Sequence, residues 1–269
     1  MQLIEVPAKT GLLWLRQGIW LLRKNPLALL TLFLTYLLAM TLVSSFIPVV
    51  GKVLPTLFIP GIAVGFMAAC RNTIAAQPVY PTLLADGFRT YGSAVAKRLL
   101  LLGVVYAVAI ALVLLFSSLF DDGLLLQALV NNQPLPDDPA VLASSGVPLA
   151  VIAALALYLP VMMLFWFAPV LTAWHDVPPV KAMFFSFICC WRNRGAFIVY
   201  GGLWISAVIL LSFGLSLMLQ TLDLGNFAYP VLMAISILIT TALYCSFYAT
   251  YRGCFAVPSP GQPDLPSTP

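Results

Sequence analysis

The stretch "PLALLTLFLTYLLAMTLVSSFIPVVGKVLPTLFIPGIAVGFMAAC", Pro26 to Cys70, decides how this chain is built. It holds two apolar runs, residues 26–47 and 53–70, joined through the Pro- and Gly-containing segment "IPVVGKVLP". A membrane-spanning helix needs about 20 apolar residues. The first run meets that length and the second is short. If the join is a tight hairpin, the runs are consecutive spans. If it is a re-entrant loop, everything downstream changes sides.

Four further apolar runs follow, at residues 99–120, 148–174, 195–219 and 229–251. Composition agrees with them: 62% of the residues are apolar, 8% are charged, and mean hydropathy is +1.02. Soluble domains carry about 25% charged residues, so this chain cannot clothe itself for water. The fold class is all-α integral membrane, with one membrane domain over residues 1–256. The N-terminus, "MQLIEVPAKTG", lacks the basic, apolar, small-residue order of a cleaved signal, so the first span is expected to stay as an anchor. The Pro-rich segment 257–269 has nothing to bury and is expected to be disordered.

The basic residues choose between hairpin and re-entrant loop. With six spans and both ends inside, Lys9, Arg16, Arg23, Lys24, Arg71, Arg89, Lys97, Arg98, Lys181, Arg192, Arg194 and Arg252 all face the cytoplasm. Of the 13 Lys and Arg residues, only Lys52 then faces out. The longest outer loop, residues 121–147, carries Asp121, Asp122, Asp137 and Asp138 and no basic residue. Basic residues in short loops concentrate on the cytoplasmic side. Six spans, both ends cytoplasmic, is the reading that satisfies this rule. The net charge of +4 then marks a face apposed to anionic headgroups. Nucleic acid is excluded, since no recognised binding module surrounds the scattered cations.

A pattern recurs along the chain. "PGIAVGFMAACRNTIAAQPVYP" from Pro60 and "PVMMLFWFAPVLTAWHDVPPV" from Pro160 align at an offset of 100, matching Pro60 with Pro160 and Pro78 with Pro178. Each is followed by a short helix-like segment, a basic junction and a new span. The start of the chain repeats this grammar, with "GLLWLRQGIWLLRKN" leading into "PLALL". We therefore expect three parallel repeats, each an interfacial helix followed by a helical hairpin. In the first interfacial helix, residues 9–25, Lys9, Arg16 and Arg23 fall seven apart on one stripe. Trp14, Leu15, Ile19, Leu21 and Leu22 cover much of the opposite side. A helix lying on the inner leaflet is the expectation, with Trp14 and Trp20 at headgroup level. Lys9, Arg16, Arg23, Lys24, Lys97, Arg98, Arg192 and Arg194 are the candidate lipid-headgroup residues.

Reactive chemistry is scarce. The central parts of the spans hold no Asp, Glu, Lys or Arg, which argues against an ion-coupled pathway. Gly61, Gly65 and Ala69 lie four apart and form a small-residue packing face, inside the bundle or against another copy. Pro160 and Pro169 should kink the fourth span. The sole histidine, His175, neighbours Asp176, a pairing that could serve acid–base or metal chemistry. Adjacent residues diverge on a helix, however, and no third ligand or nucleophile is near. The structural reading places His175 at a helix C-terminus and Asp176 as the cap of the next helix. Calcium held by the paired aspartates of the outer loop is the other ionic reading. The cysteines, Cys70, Cys189, Cys190, Cys245 and Cys254, lack metal-ligand spacing and read as small core residues. No cofactor and no metal are expected.

Three segments carry a resemblance: "VPAKTGLLWLRQGIWLLRKNPLALL", "IPGIAVGFMAACRNT" and "FAPVLTAWHDVPPVKAMFFSFICCWRN". The chain resembles a family of uncharacterised betaproteobacterial six-span inner-membrane proteins over most of its length. It is distantly similar to YciC-like envelope proteins and to the membrane domain joined to some glycerophosphodiester phosphodiesterases. The resemblance implies a bacterial inner membrane and brings no catalytic residues. The functional expectation is a non-enzymatic protein that organises lipid or a protein partner, which includes a second copy of itself. A permease for an uncharged or lipidic substrate, and a membrane enzyme using His175, are the readings to set against it.

Overall fold

The computed structural model describes residues 2–46, 50–131, 133–222 and 227–256. The expected disordered segment 257–269 and the centre of the first hairpin, residues 47–49, lie outside the described residues.

Almost all of the described chain is helical. A short strand β1 (Gln2–Leu3) precedes α1 (Thr10–Lys24), α2 (Pro26–Phe46) and α3 (Val50–Ile74). A 3-10 turn at Pro81–Ala85 runs into α4 (Asp86–Arg89) and then α5 (Gly92–Ser117). The outer loop contains α6 (Leu124–Asn131) and α7 (Pro139–Ser144). After it come α8 (Val147–Phe165), α9 (Ala168–Trp174), α10 (Pro179–Arg192), α11 (Arg194–Thr221), α12 (Ala228–Cys254) and β2 (Phe255–Ala256). Among the described residues, six helical segments are long and apolar enough to cross a membrane: Pro26–Phe46, Leu54–Ile74, Gly92–Ser117, Val147–Trp174, Arg194–Thr221 and Tyr229–Cys254.

The apolar runs located the spans but not their ends. The second helix begins at Val50, not 53, and continues through Pro55 and Pro60 to Ile74. The third begins at Gly92, seven residues before the apolar run, with Lys97 and Arg98 inside it. Long basic side chains at a span end reach back to water, so they do not stop the helix. The fourth span is not one kinked helix but two. Pro169 has no N–H to give, so the ladder fails ahead of it and α8 ends at Phe165. The hydroxyl of Ser186 fills the gap: it accepts from the Phe167 N–H at 2.9 Å and donates to the Met163 carbonyl at 2.7 Å. Those two backbone groups are four residues apart, the pair an unbroken helix would have joined directly. Pro160 stays within α8.

The chain divides into two compact units. One holds the strands, α1, most of α2 and α3, α4, the end of α10, α11 and α12. The other holds the remainder of α2, α3 and α10, with α5 to α9. In the first unit, β1 pairs antiparallel with β2, Gln2 opposite Ala256 and Leu3 opposite Phe255. Six span-length helices therefore run between two strands that clasp each other, as an even number of crossings allows.

Candidate functional site

The basic residues of the first unit are held by an arrangement the sequence reading missed. α1 packs one face on protein. Gly11, Trp14, Gly18 and Leu21 are buried against α11 and α12 of the same chain. A Cβ at Gly11 would run into the Ala196 carbonyl, and one at Gly18 into Ser246. Both glycines thus set how closely the backbones approach. Trp14 is 1% exposed, packs on Phe197 and Tyr200, and passes over Gly253, where a side chain would collide with its ring. The expectation for α1 is corrected in part: Trp14 and Leu21 meet protein, because small residues on both sides admit them, while Leu15, Ile19 and Leu22 stay half-exposed.

The opposite face of α1 carries the cations outward. Lys9, Arg16 and Arg23 are exposed, and among the described residues no ion pair engages them. Seven residues of helix separate each from the next, roughly 10 Å of rise. Lys24 is differently placed: its Nζ donates to the Ile74 carbonyl at 3.2 Å and lies 5.1 Å from the centre of the Trp20 ring. Arg192 pairs with Glu5 at 3.3 Å, and the Arg194 guanidinium stacks 5.6 Å from the Trp191 ring centre. Between those arginines sits Asn193, 1% exposed. Its Oδ1 accepts from the Val6 N–H at 2.8 Å, while Nδ2 donates to the carbonyls of Ile4 and Cys189, each at 3.1 Å. The segment after β1 is pinned by this one side chain. No spacing in the sequence announced it, since its partners Val6 and Ile4 lie 187 and 189 residues away.

In the second unit Lys97 is exposed, and Arg98 binds the Asp176 carboxylate at 2.5 Å. Trp174 Nε1 donates to the Tyr91 hydroxyl at 2.9 Å, so the end of α9 is tied to the start of α5 by two contacts. His175 is the C-terminal cap of α9, its N–H returning to the Leu171 carbonyl. Half-burial lowers its pKa from the ordinary imidazole value. Asp176 does not cap the next helix, as the sequence reading had it: α10 starts only at Pro179. Instead Asp176 takes a left-handed φ of 52° and ends α9. At Ala76, 100 residues earlier, φ is 54°, just past the end of α3. These helix ends turn alike with unlike side chains.

The small-residue helix face of Gly61, Gly65 and Ala69 is buried. A Cβ at Gly65 would meet the Leu83 backbone, so this part of α3 packs on the 3-10 turn of its own unit. In the outer loop, Asp121 is 2% exposed and accepts from the N–H groups of Gly123 and Leu125, and Asp138 accepts from the Ala140 N–H. Those carboxylates start α6 and α7. Among the described residues no cluster of three or more His, Cys, Asp or Glu could hold a metal ion. All five cysteines are buried and none is in a disulfide. Burial pushes the Cys190 thiol up, away from reactivity.

Six apolar helices and a face of exposed cations define a polytopic α-helical membrane protein. No protein-family model matches the chain, and no solved structure matches it. A probable inner membrane protein of Burkholderia thailandensis is 60% identical over 268 residues, which is 100% of this chain and 99% of that protein. The chain belongs to this family of inner membrane proteins, and its location is multi-pass in the inner membrane.

Proposed function

We propose that this is a non-enzymatic protein that gathers anionic phospholipid at the membrane face carrying α1, with both chain ends on the cytoplasmic side. The observation that carries it is the ridge of Lys9, Arg16 and Arg23, exposed along a helix that its glycines fix in the bundle. Cations held at that level attract an anionic leaflet by about 1 kcal/mol each. The 12-to-1 partition of basic residues and the pairing of β1 with β2 support the orientation. The order of elements and the matching turns at Ala76 and Asp176 support the three-repeat reading. The distant likeness to YciC-like proteins belongs to the same reading. His175 offers little to an enzyme: its neighbour Asp176 is engaged by Arg98.

The test is native mass spectrometry of the protein released from nanodiscs of phosphatidylcholine with phosphatidylglycerol. Wild type should retain phosphatidylglycerol, and the K9Q/R16Q/R23Q variant should retain it roughly a hundredfold less. Equal retention by both would end the proposal. A second reading, a permease for an uncharged substrate, draws on a groove of about 510 Å³ between α11 and α12. Ser212, Ser236 and Thr240 line it among apolar side chains. Flux through proteoliposomes above that of empty vesicles would favour this reading over the first.

A further inference from the structure

One more apolar face of the molecule is largely exposed. On α10, Val180, Phe184, Phe187 and Trp191 follow the spacing i, i+4, i+7, i+11, which is a single helical stripe. Val180 is 74% exposed, Phe184 59% and Trp191 54%. The opposite side of the helix, Ala182, Ser186 and Cys189, is fully buried. A helix that burial has already fixed in rotation therefore points large apolar side chains outward.

Connectivity decides what covers them. α10 follows the end of one span at Trp174 and leads, through the single residue Asn193, into the next span at Arg194. A helix strung between two span ends on one side of the membrane lies where hydrocarbon gives way to headgroups. Its charges suit that depth. α10 contains no acidic residue, while Lys181 and Arg192 are exposed on one flank and Arg194 stacks on Trp191. A cation placed against an interfacial tryptophan beside an apolar stripe is the pattern of a helix lying in the lipid surface.

We infer that α10 is an interfacial helix whose Val180–Phe184–Trp191 stripe inserts among phospholipid acyl chains just below the headgroups. Phospholipid is the occupant rather than protein, since α10 joins the ends of two span-length helices and cations flank the stripe. The insertion is driven by apolar area, so it operates in neutral lipid and stands apart from the anionic-lipid reading of α1.

The experiment reconstitutes the full chain in phosphatidylcholine nanodiscs whose acyl chains carry bromine either near the headgroup or near the methyl end. Subtracting the emission of W191F from that of wild type isolates Trp191 among the six tryptophans. Shallow bromine should quench this difference signal about twofold more than deep bromine, with blue-shifted emission. A red-shifted, unquenched Trp191 would place the stripe in water and overturn the inference. A blue-shifted but unquenched signal would also overturn it, by showing protein over the stripe. F184W in the W191F background supplies an independent reporter, which should give the same depth. If the α1 variant above loses phosphatidylglycerol while Trp191 quenching is unchanged, the two ideas are separated.

Discussion

α1 and α10 look alike in sequence and behave as opposites. Each is an amphipathic helix that ends on an asparagine ahead of a long apolar helix, Asn25 before α2 and Asn193 before α11. α1 turns Trp14 and Leu21 inward and its cations outward. α10 buries small residues and leaves its large apolar stripe exposed. Amphipathic spacing states which residues share a face; it does not state what the face meets. The deciding residues are the small ones. Gly11 and Gly18 let α1 sink into α11 and α12, whereas Ala182, Ser186 and Cys189 seat α10 by its narrow side.

That contrast can be broken at its strongest point by filling α1. Replacing Gly11 with leucine forces a side chain against the Ala196 backbone and should destabilise by about 3 kcal/mol or more. Thermal unfolding in mild detergent would show it. Gly202→Ala, where nothing lies within 4 Å, should leave stability unchanged or slightly raised and serves as the control. Equal effects would mean α1 is not docked.

Asn193→Ala should cost about 2–3 kcal/mol by stranding buried groups on both the N-terminal segment and α10. Limited proteolysis should then cut within the first ten residues, a site protected in the wild type. Ser186→Ala sharpens the account of α10, since it leaves Phe167 N–H and Met163 C=O without their bridge. A loss of about 1–3 kcal/mol is expected. The exposed Ser236, which bonds only to its own helix, should change by less than about 0.5 kcal/mol when made alanine.

Smaller effects belong to the turn before α10. The Arg98–Asp176 pair is 34% and 79% exposed at its side chains, so Asp176→Asn should cost at most about 1 kcal/mol and keep the left-handed turn. His175 gives the smallest signal. Its pKa is lower in the folded chain than in the unfolded one, so the unfolded state takes up protons first as pH drops. Its contribution is present above about pH 6.5 and is lost as pH falls through the lower folded value. His175→Gln should flatten that acid-side slope in a pH series of unfolding temperatures.

The six spans were legible because hydrophobicity is a local sum over residues 20 or so long. Their ends were less so: Lys97 and Arg98 interrupt hydropathy but not the helix. The break in the fourth span was half legible. Pro169 announced a disturbance, while Ser186, which makes a clean break tolerable at that depth, lies 19 residues from Phe167. The basic ridge of α1 was readable from its seven-residue spacing. Its docking was not, because Ala196 and Ser246 stand about two hundred residues further on. His175 as a helix end was readable from the prolines that follow it. The grip of Arg98 on Asp176, across 78 residues, was not.

The clasp of β1 with β2 has a consequence for how the chain is made. Gln2 and Leu3 leave the ribosome well before their partners Phe255 and Ala256, which come after the sixth span. The same delay holds for α1, whose seat is formed by α11 and α12. At ordinary translation speeds that is a wait on the order of tens of seconds. During it the glycine-lined face of α1 lacks the helices that will cover it. Assembly closes from the last helix back onto the first, so a chain truncated before α12 lacks the surface its opening segment needs.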